Sequence, residues 1–232
     1  MKVRTPSLSA SWFQREDRRV SRARLGILIS GRGSNMEALL QAAADPAWPC
    51  EPTLVLSNKP DAGGLEKARS FGVMATALDH KIYGKDREAF ERAVDAELRA
   101  AGVELIALAG FMRVLTPWFV NAWAGKLINI HPSLLPKYPG VDTHKRALAA
   151  GDAVHGCTVH QVTAGVDEGP VIGQAEIDVL AGDTEDTLAA RVLKAEHLLY
   201  PRCLAAVARK GGTRVAETVI ADGVEVRLFA PH

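Results

Sequence analysis

The chain has 232 residues, 47% hydrophobic and 24% charged, a composition that is ordinary for a globular protein able to bury a full core. Its net charge of +1 combines a basic start with a slightly acidic remainder, which argues against nucleic-acid binding. No apolar run approaches the roughly 20 residues that a membrane span needs, and three distant cysteines favour a reduced, cytoplasmic protein without a disulfide framework or zinc site.

The first segment of the chain is its most basic part. Residues 1–24 carry seven Lys or Arg against two acids and show no periodic apolar pattern. Such a segment is typical of a solvated or disordered extension. We therefore predict a disordered basic arm over residues 1–23 and a single folded domain over residues 24–232, because no linker or repeat divides the remainder.

Strand and helix patterns alternate after the arm. RLGILIS predicts a buried strand, and SNMEALLQAAA predicts a helix that begins with a capping box of Ser34 and Glu37. A strand in TLVLS, a helix in DAGGLEKARSFG, the segment VMATAL and a long helix over about 86–101 follow, before strands in ELIALAG and LINI. This order predicts a parallel sheet with helices on both faces.

The pattern changes after His155. HGCTVHQVT and PVIGQAEIDVL predict two strands joined by a hairpin-like turn, AGVDEG, without a helix between them. A long helix over about 184–208 and a terminal hairpin of RVAETVI and VEVRLFA complete the chain. The fold class is therefore α/β, with an antiparallel C-terminal part.

Candidate ligand-binding segments lie at the predicted carboxyl ends of strands, where open α/β sheets bind ligands. In SGRGSN, the glycines allow a tight turn and the following helix N-terminus favours an anion. The segment is neither a P-loop nor a dinucleotide fingerprint, so a single phosphate and a plain turn are equally good interpretations. In AGFMRVL, Arg113 suits an anionic, partly aromatic ligand, although a surface arginine is the favoured interpretation of that residue alone.

Asn129 and His131 in NIHPSLLPKYPG provide an amide donor and an imidazole at the end of the strand LINI. Residues two apart on an extended chain point the same way, so both side chains can face one pocket. The following prolines stiffen the loop, and the pair therefore favours a functional site. Asp167 in GVDEGPV is ordinarily a turn former, but a turn folded back over the strand ends would bring its carboxylate to His131 and stabilise the charged ring. His144, His155 and His160 are too scattered to predict a metal site.

Taken in this order, these segments resemble the phosphoribosylglycinamide formyltransferases, folate-dependent enzymes of purine biosynthesis. The resemblance covers about residues 26–204 and rests on the strings SGRGSN, LSNKPDAGGLEKAR, LAGFMRVL, NIHPSLLPKYPG, THKRAL, HGCTVHQVT, DEGPVI, AGDTEDTLAARV and EHLLYP. It implies a Rossmann-like formyltransferase fold. It also implies two small-molecule partners, 10-formyltetrahydrofolate as formyl donor and glycinamide ribonucleotide as acceptor, with direct attack through a tetrahedral intermediate and no metal.

The resemblance also implies the roles of individual residues. The catalytic trio corresponds to Asn129, His131 and Asp167. The ribonucleotide-binding residues correspond to Gly31, Arg32, Gly33, Ser34, Asn35 and Glu196. The formylfolate-binding residues correspond to Arg87, Met112, Arg113, Val114, Leu115, Asn129, Thr163, Ala164, Gly165, Val166 and Asp167. Arg32 and Glu168 depart from the family pattern, and the basic arm has no counterpart in it.

Three alternatives share part of this pattern. Methionyl-tRNA formyltransferase has the same HPSLLP core but adds a basic C-terminal barrel. Formyltetrahydrofolate deformylase carries a regulatory domain before its first strand, for which about 24 residues are too few. A catalytically dead nucleotide-binding module would not need Asn129, His131 and Asp167 together.

Overall fold

The computed structural model describes residues 22–209, 217–221 and 223–229. Its strands, in chain order, are β1 (Ala23–Ile29), β2 (Cys50–Ser57), β3 (Met74–Ala77), β4 (Leu105–Leu108), β5 (Leu127–His131), β6 (Val154–Gln161), β7 (Val171–Asp178), β8 (Glu217–Ala221) and β9 (Val224–Phe229). Its α-helices are α1 (Ser34–Ala42), α2 (Gly64–Ser70), α3 (Arg87–Ala100), α4 (Pro117–Ala122), α5 (Thr143–Ala150) and α6 (Glu185–Ala208), with a 3₁₀ turn at His80–Tyr83.

The described strands form one sheet in the order β3-β2-β1-β4-β5-β6-β7-β9-β8. The strands from β3 to β5 are parallel, whereas β6, β7, β9 and β8 join the sheet by antiparallel pairing. This arrangement confirms the predicted α/β class with a mostly parallel centre and an antiparallel C-terminal part. The order reverses at β1, since β2 lies on one side of it and β4 on the other.

Helices cover both faces of the sheet, as predicted. Alternate residues of a strand point to opposite faces, so neighbouring residues of β1 pack against different helices. Ile27 contributes to a cluster that includes the apolar residues of α1, α2 and α6. Its neighbour Leu28 belongs to a second cluster with Phe90 of α3 and Phe119 of α4. Each of these four side chains is at most 1% exposed. Burial of each such side chain stabilises the fold by about 1.5–3 kcal/mol.

The predicted capping box of the first helix is wrong. Gly33 is the N-cap residue, at a left-handed φ of 70°, and no side chain caps the helix there. Because the chain needs this conformation immediately before the helix, Ser34 becomes the first helical residue and its hydroxyl is displaced from the capping position. The Glu37 carboxylate instead accepts a hydrogen bond from Lys67 of α2, at 2.6 Å.

The start of the described chain is anchored. The Arg22 guanidinium donates to the Cys50 carbonyl at 2.9 Å and to the Ala43 carbonyl at 3.0 Å. Strand β1 begins at Ala23, one residue before the predicted start of the domain. The rest of the predicted arm, residues 1–21, lies outside the described residues. Among the helices that are described, none combines the length and the apolarity that a bilayer crossing requires.

Candidate active site

The candidate site lies at the carboxyl ends of β1 and β4. The strand order reverses there, because the chain leaves these two strands in opposite directions, and open α/β sheets bind ligands at such a point. The buried Ser30 follows β1 directly. Its N–H donates to the Gly110 carbonyl at 3.1 Å, and its hydroxyl accepts a hydrogen bond from the Met112 N–H at 2.8 Å. The first two polar segments identified in the sequence therefore meet along one edge of the sheet.

The glycine turn after β1 is tightly packed. Gly33 has a φ of 70°, and a Cβ at this position would lie 3.1 Å from Cε of Met36 and 3.2 Å from Cα of Gly64. The Gly64 N–H, at the start of α2, donates to the Gly31 carbonyl at 3.0 Å. Only glycine satisfies both the backbone angle and the close approach. The turn therefore presents backbone amides at the start of α1, where an anion is favoured.

A buried polar pair extends this turn. The Asn35 amide nitrogen donates to the Glu196 carboxylate of α6 at 2.6 Å, across 161 residues of sequence. Burial raises the pKa of Glu196 to about 7. The Asn35 amide oxygen is buried and has no hydrogen-bond partner among the described residues, although buried acceptors are nearly always satisfied. Two of the predicted ribonucleotide-binding residues, Asn35 and Glu196, thus lie together, and the amide oxygen of Asn35 is available to accept a hydrogen bond from a ligand.

Strand β5 carries the amide and the imidazole. Asn129 and His131 both lie within the strand, which continues one residue beyond the predicted LINI and ends at His131. The hydroxyl of Tyr200, on α6, lies 3.0 Å from the carbonyls of Leu108 and Ile128. This buried hydroxyl ties the ends of β4 and β5 together immediately beside Asn129.

The ring of His131 lies between two hydrogen-bond acceptors. Its Nε2 is 2.9 Å from the Tyr138 carbonyl, and its Nδ1 is 3.3 Å from the Asp167 carboxylate. Asp167 has a left-handed φ of 57°, and the Gly140 N–H donates to the same carboxylate at 2.9 Å. The loop that precedes β7 therefore folds back over the strand ends. The Tyr138 carbonyl can only accept, so the Nε2 contact places a proton on that nitrogen.

His160 is a further polar residue of the site that sequence reasoning set aside. The register of β5 and β6 places it directly opposite Asn129. Its Nε2 lies 3.1 Å from the Asn129 amide nitrogen, and its Nδ1 lies 2.9 Å from the Gln161 carbonyl. Burial lowers the pKa of His160, so its neutral ring donates from Nδ1 and accepts at Nε2. This contact fixes the orientation of the Asn129 amide and leaves its second N–H for a ligand.

Two arginines lie near the chain that follows β4. Arg87, the first residue of α3, donates a hydrogen bond to the Val114 carbonyl. The Arg113 guanidinium carbon lies 5.0 Å from the centre of the Phe90 ring, and burial together with the charge of Arg87 lowers the pKa of Arg113. Met112 and Val114 are exposed beside them. The segment therefore offers cationic and apolar groups at one place.

The remaining predicted folate-binding residues occupy the loop between β6 and β7. Thr163, Ala164 and Val166 are exposed there, and Leu115 is half-buried near the start of α4. The side chain of Asp167 is turned inward. The histidines His144 and His155 pair with each other at 3.1 Å, and burial lowers the pKa of His155 to about 4. Within the described ranges no group of three or more His, Cys, Asp or Glu side chains is placed to hold a metal ion.

Comparison with protein families gives a match over most of the chain. The sequence model of the family described as Formyl transferase matches residues 23–204. Phosphoribosylglycinamide formyltransferase of Escherichia coli (strain K12) is 48% identical over 175 residues, which are 75% of this chain and 82% of that protein. Trifunctional purine biosynthetic protein adenosine-3 of Drosophila melanogaster is 49% identical over 186 residues, or 79% of this chain. The match spans only 14% of that longer relative.

Solved structures show the same similarity. The crystal structure of phosphoribosylglycinamide formyltransferase from Brucella melitensis has a TM-score of 0.78 and 50% identity, and the match covers 81% of this chain and 96% of that one. Glycinamide ribonucleotide transformylase 1 from Symbiobacterium toebii has a TM-score of 0.79 and 42% identity, with 89% and 94% covered. Sequence and fold are thus similar to the same group of proteins.

Proposed function

This chain belongs to the formyl transferase family, and from that premise we propose that it transfers the formyl group of 10-formyltetrahydrofolate to the amine of glycinamide ribonucleotide in purine biosynthesis. The names of the Escherichia coli and Brucella melitensis relatives support this assignment. So does the arrangement of the strand ends, since the glycine turn follows β1, the segment with Arg113 follows β4, and β5 with Asn129 and His131 is the next strand of the sheet. The proposal places the reaction in the cytoplasm.

The observation that carries the proposal is the position of Asn129 and His131 on one strand, with the Asp167 carboxylate 3.3 Å from the ring. When an amine attacks a formyl carbon, the carbonyl oxygen becomes an oxyanion. The free N–H of Asn129 and the Nδ1–H of His131 are donors for that oxyanion, since Nε2 of the ring is already bonded to the Tyr138 carbonyl. Such donors contribute roughly 3 kcal/mol each. Asp167 keeps the ring charged and accepts the proton that the amine releases. Direct transfer follows, without a covalent intermediate or a metal.

The ribonucleotide is expected at the glycine turn. Its phosphate would lie against the backbone amides of residues 31–35, where the N-terminus of α1 supplies positive potential. Arg32 is exposed at this turn and adds a formal positive charge. The unsatisfied amide oxygen of Asn35 and the carboxyl group of Glu196 are available to a hydroxyl or amine of the same ligand. The amine to be formylated would then point toward Asn129.

The formylfolate is expected at the segment after β4 and the loop between β6 and β7. Met112, Val114 and Val166 expose apolar side chains that can cover the faces of a flat heterocycle. Arg87 and Arg113 supply positive charge for the anionic part of the folate. The remaining predicted folate-binding residues, Leu115, Thr163, Ala164 and Gly165, would complete this region together with Asn129 and Asp167.

The experiment that tests this function follows the folate absorbance change as 10-formyltetrahydrofolate is consumed, with and without glycinamide ribonucleotide. The proposal predicts consumption only when the ribonucleotide is present. Consumption at the same rate without it would indicate a formyltetrahydrofolate deformylase. Binding of the ribonucleotide without any turnover, measured by calorimetry in parallel, would indicate a nucleotide-binding module instead.

A further inference from the structure

The carbonyl group that anchors His131 belongs to a residue in a strained conformation. Tyr138 has a φ of 56°, in the left-handed region, and its carbonyl lies 2.9 Å from Nε2 of His131. For a residue with a Cβ this conformation costs roughly 1–2 kcal/mol. It persists only where surrounding contacts determine it. The direction of this carbonyl therefore depends on what holds Tyr138.

One carboxylate holds both Tyr138 and the residue before it. The Tyr138 hydroxyl donates to Asp152 at 2.8 Å, and the Lys137 ammonium donates to the two oxygens of the same carboxylate at 2.9 and 3.1 Å. The hydrogen bonds from Lys137 and Tyr138 hold the pKa of Asp152 below its usual range, so the carboxylate stays ionised. Asp152 follows α5 closely and precedes β6, two regular elements that fix its position.

Other contacts also restrain this segment: the buried Ser133 hydroxyl donates to the Lys137 carbonyl at 2.6 Å and lies 3.2 Å from the Tyr138 carbonyl. The Arg146 guanidinium carbon lies 5.1 Å from the ring centre, and the same group donates to the Pro139 carbonyl at 2.7 Å. The edge of His155 packs against the ring at 6.2 Å between centres. These contacts hold the ring laterally, whereas Asp152 fixes the end of the side chain through its hydroxyl.

We propose that Asp152 is a positioning residue for His131 and acts through Tyr138. Its carboxylate fixes the Tyr138 and Lys137 side chains and thereby directs the Tyr138 carbonyl toward Nε2 of His131. With this carbonyl bonded to Nε2 and Asp167 beside Nδ1, the ring is held in one orientation with a proton on Nε2. The inference rests on the proposed function in one respect, namely that His131 takes part in formyl transfer.

Turnover measurements test this role with three variants. Asp152→Ala should lower kcat by about tenfold while the KM values for both substrates change by less than about twofold, because the reacting groups lose preorganisation and the binding surfaces do not change. Asp152→Asn retains an acceptor oxygen for the Tyr138 hydroxyl and should restore part of kcat. The control is Glu217→Gln. It breaks the 2.9 Å ion pair between Glu217 of β8 and Arg202 of α6 and should leave kcat unchanged.

A second measurement needs no turnover and separates this inference from the proposed function. Nitrogen NMR of the His131 ring should show a hydrogen-bonded proton on Nε2 in the substrate-free wild type and in Glu217→Gln, and should show its loss in Asp152→Ala. If Asp152→Ala does not fold, Tyr138→Phe removes only the hydroxyl and should give the same ring change. A folded variant with unchanged ring signals would overturn the inference, whatever the activity of the wild type. Unchanged kcat in folded Asp152→Ala would also overturn it.

Discussion

The carboxylate of Asp167 lies 3.3 Å from Nδ1 of His131, and the Gly140 N–H fixes the same carboxylate at 2.9 Å. Both side chains are largely buried, at 12% and 7% exposure. Because Asp167 lies in the loop after β6, this contact forms only when the loop folds back over β5.

Replacing Asp167 by Asn tests this contact. Asp167→Asn should fold normally and bind both substrates, yet lose at least ~100-fold in kcat, as expected when an acid–base partner is removed. Steady-state kinetics and calorimetric binding provide the measurement. Glu168→Gln neutralises the neighbouring carboxylate and should retain its kcat. Near-normal turnover of Asp167→Asn would remove Asp167 from the mechanism.

Replacing Gly33 by Ala tests the anion-binding turn. The new Cβ would contact Met36 and Gly64 at 3.1 and 3.2 Å in a left-handed conformation, so the turn must shift. We expect the KM for the ribonucleotide to rise much more than the KM for the folate. Gly63→Ala is the matched control, because Gly63 has a φ of −60° and a Cβ added there would meet no atom within 4 Å. An equal rise in both KM values would contradict the assignment of this turn to the ribonucleotide.

Glu196 gives the fold a pH dependence. Burial raises its pKa from 4.5 to about 7, so the folded state binds the proton more tightly than the unfolded state. The stability that Glu196 contributes is complete below pH 4.5 and is lost as the pH rises through about 7. Glu196→Gln should therefore raise the free energy of unfolding at pH 8 by about 3 kcal/mol, with a gap that closes toward pH 4.5. Urea denaturation of the wild type and of Glu196→Gln at pH 8 and pH 4.5 measures this difference in the free energy of unfolding. An equal difference at the two pH values would show that the Glu196 proton is not responsible.

Removal of residues 1–21 tests the predicted arm. This segment combines dense charge with no periodic apolar pattern, so the shortened protein should retain its kcat and Tm. The deletion leaves Arg22 in place, because its guanidinium bonds to the carbonyls of Cys50 and Ala43. Thermal denaturation and turnover of the two proteins provide the comparison. A large fall in either quantity would mean that the arm packs on the domain or contributes to the site.

The elements that the sequence predicted best are those with a clear apolar period. The strands RLGILIS and LINI and the long helices α3 and α6 could be recognised because burial on one or both faces imposes the pattern. Helices α4 and α5 have six and eight residues, too few for a period to be evident. The capping box at Ser34 failed because a left-handed Gly33 took the capping position, which depends on packing against Gly64.

Part of the candidate site could also be predicted, because it depends on a pattern that is local in the sequence. Asn129 and His131 share a face because of strand geometry, which is a local property visible in sequence. The contact of His160 with Asn129 depends on the register of an antiparallel pair, and the contact of Tyr138 with Asp152 depends on how the loop folds over it. Neither property leaves a local pattern. Glu196 was assigned by resemblance, and its contact with Asn35 follows from the packing of α6 on α1.

The fate of the formyl carbon tests the central claim most directly. A single turnover with ¹³C-formyl-labelled 10-formyltetrahydrofolate and glycinamide ribonucleotide would be followed by NMR and mass spectrometry. Direct transfer between the two subsites predicts that all of the label appears on the amine of the ribonucleotide and none as formate. Label released as formate while the ribonucleotide remains unmodified would contradict the proposed formyl transfer.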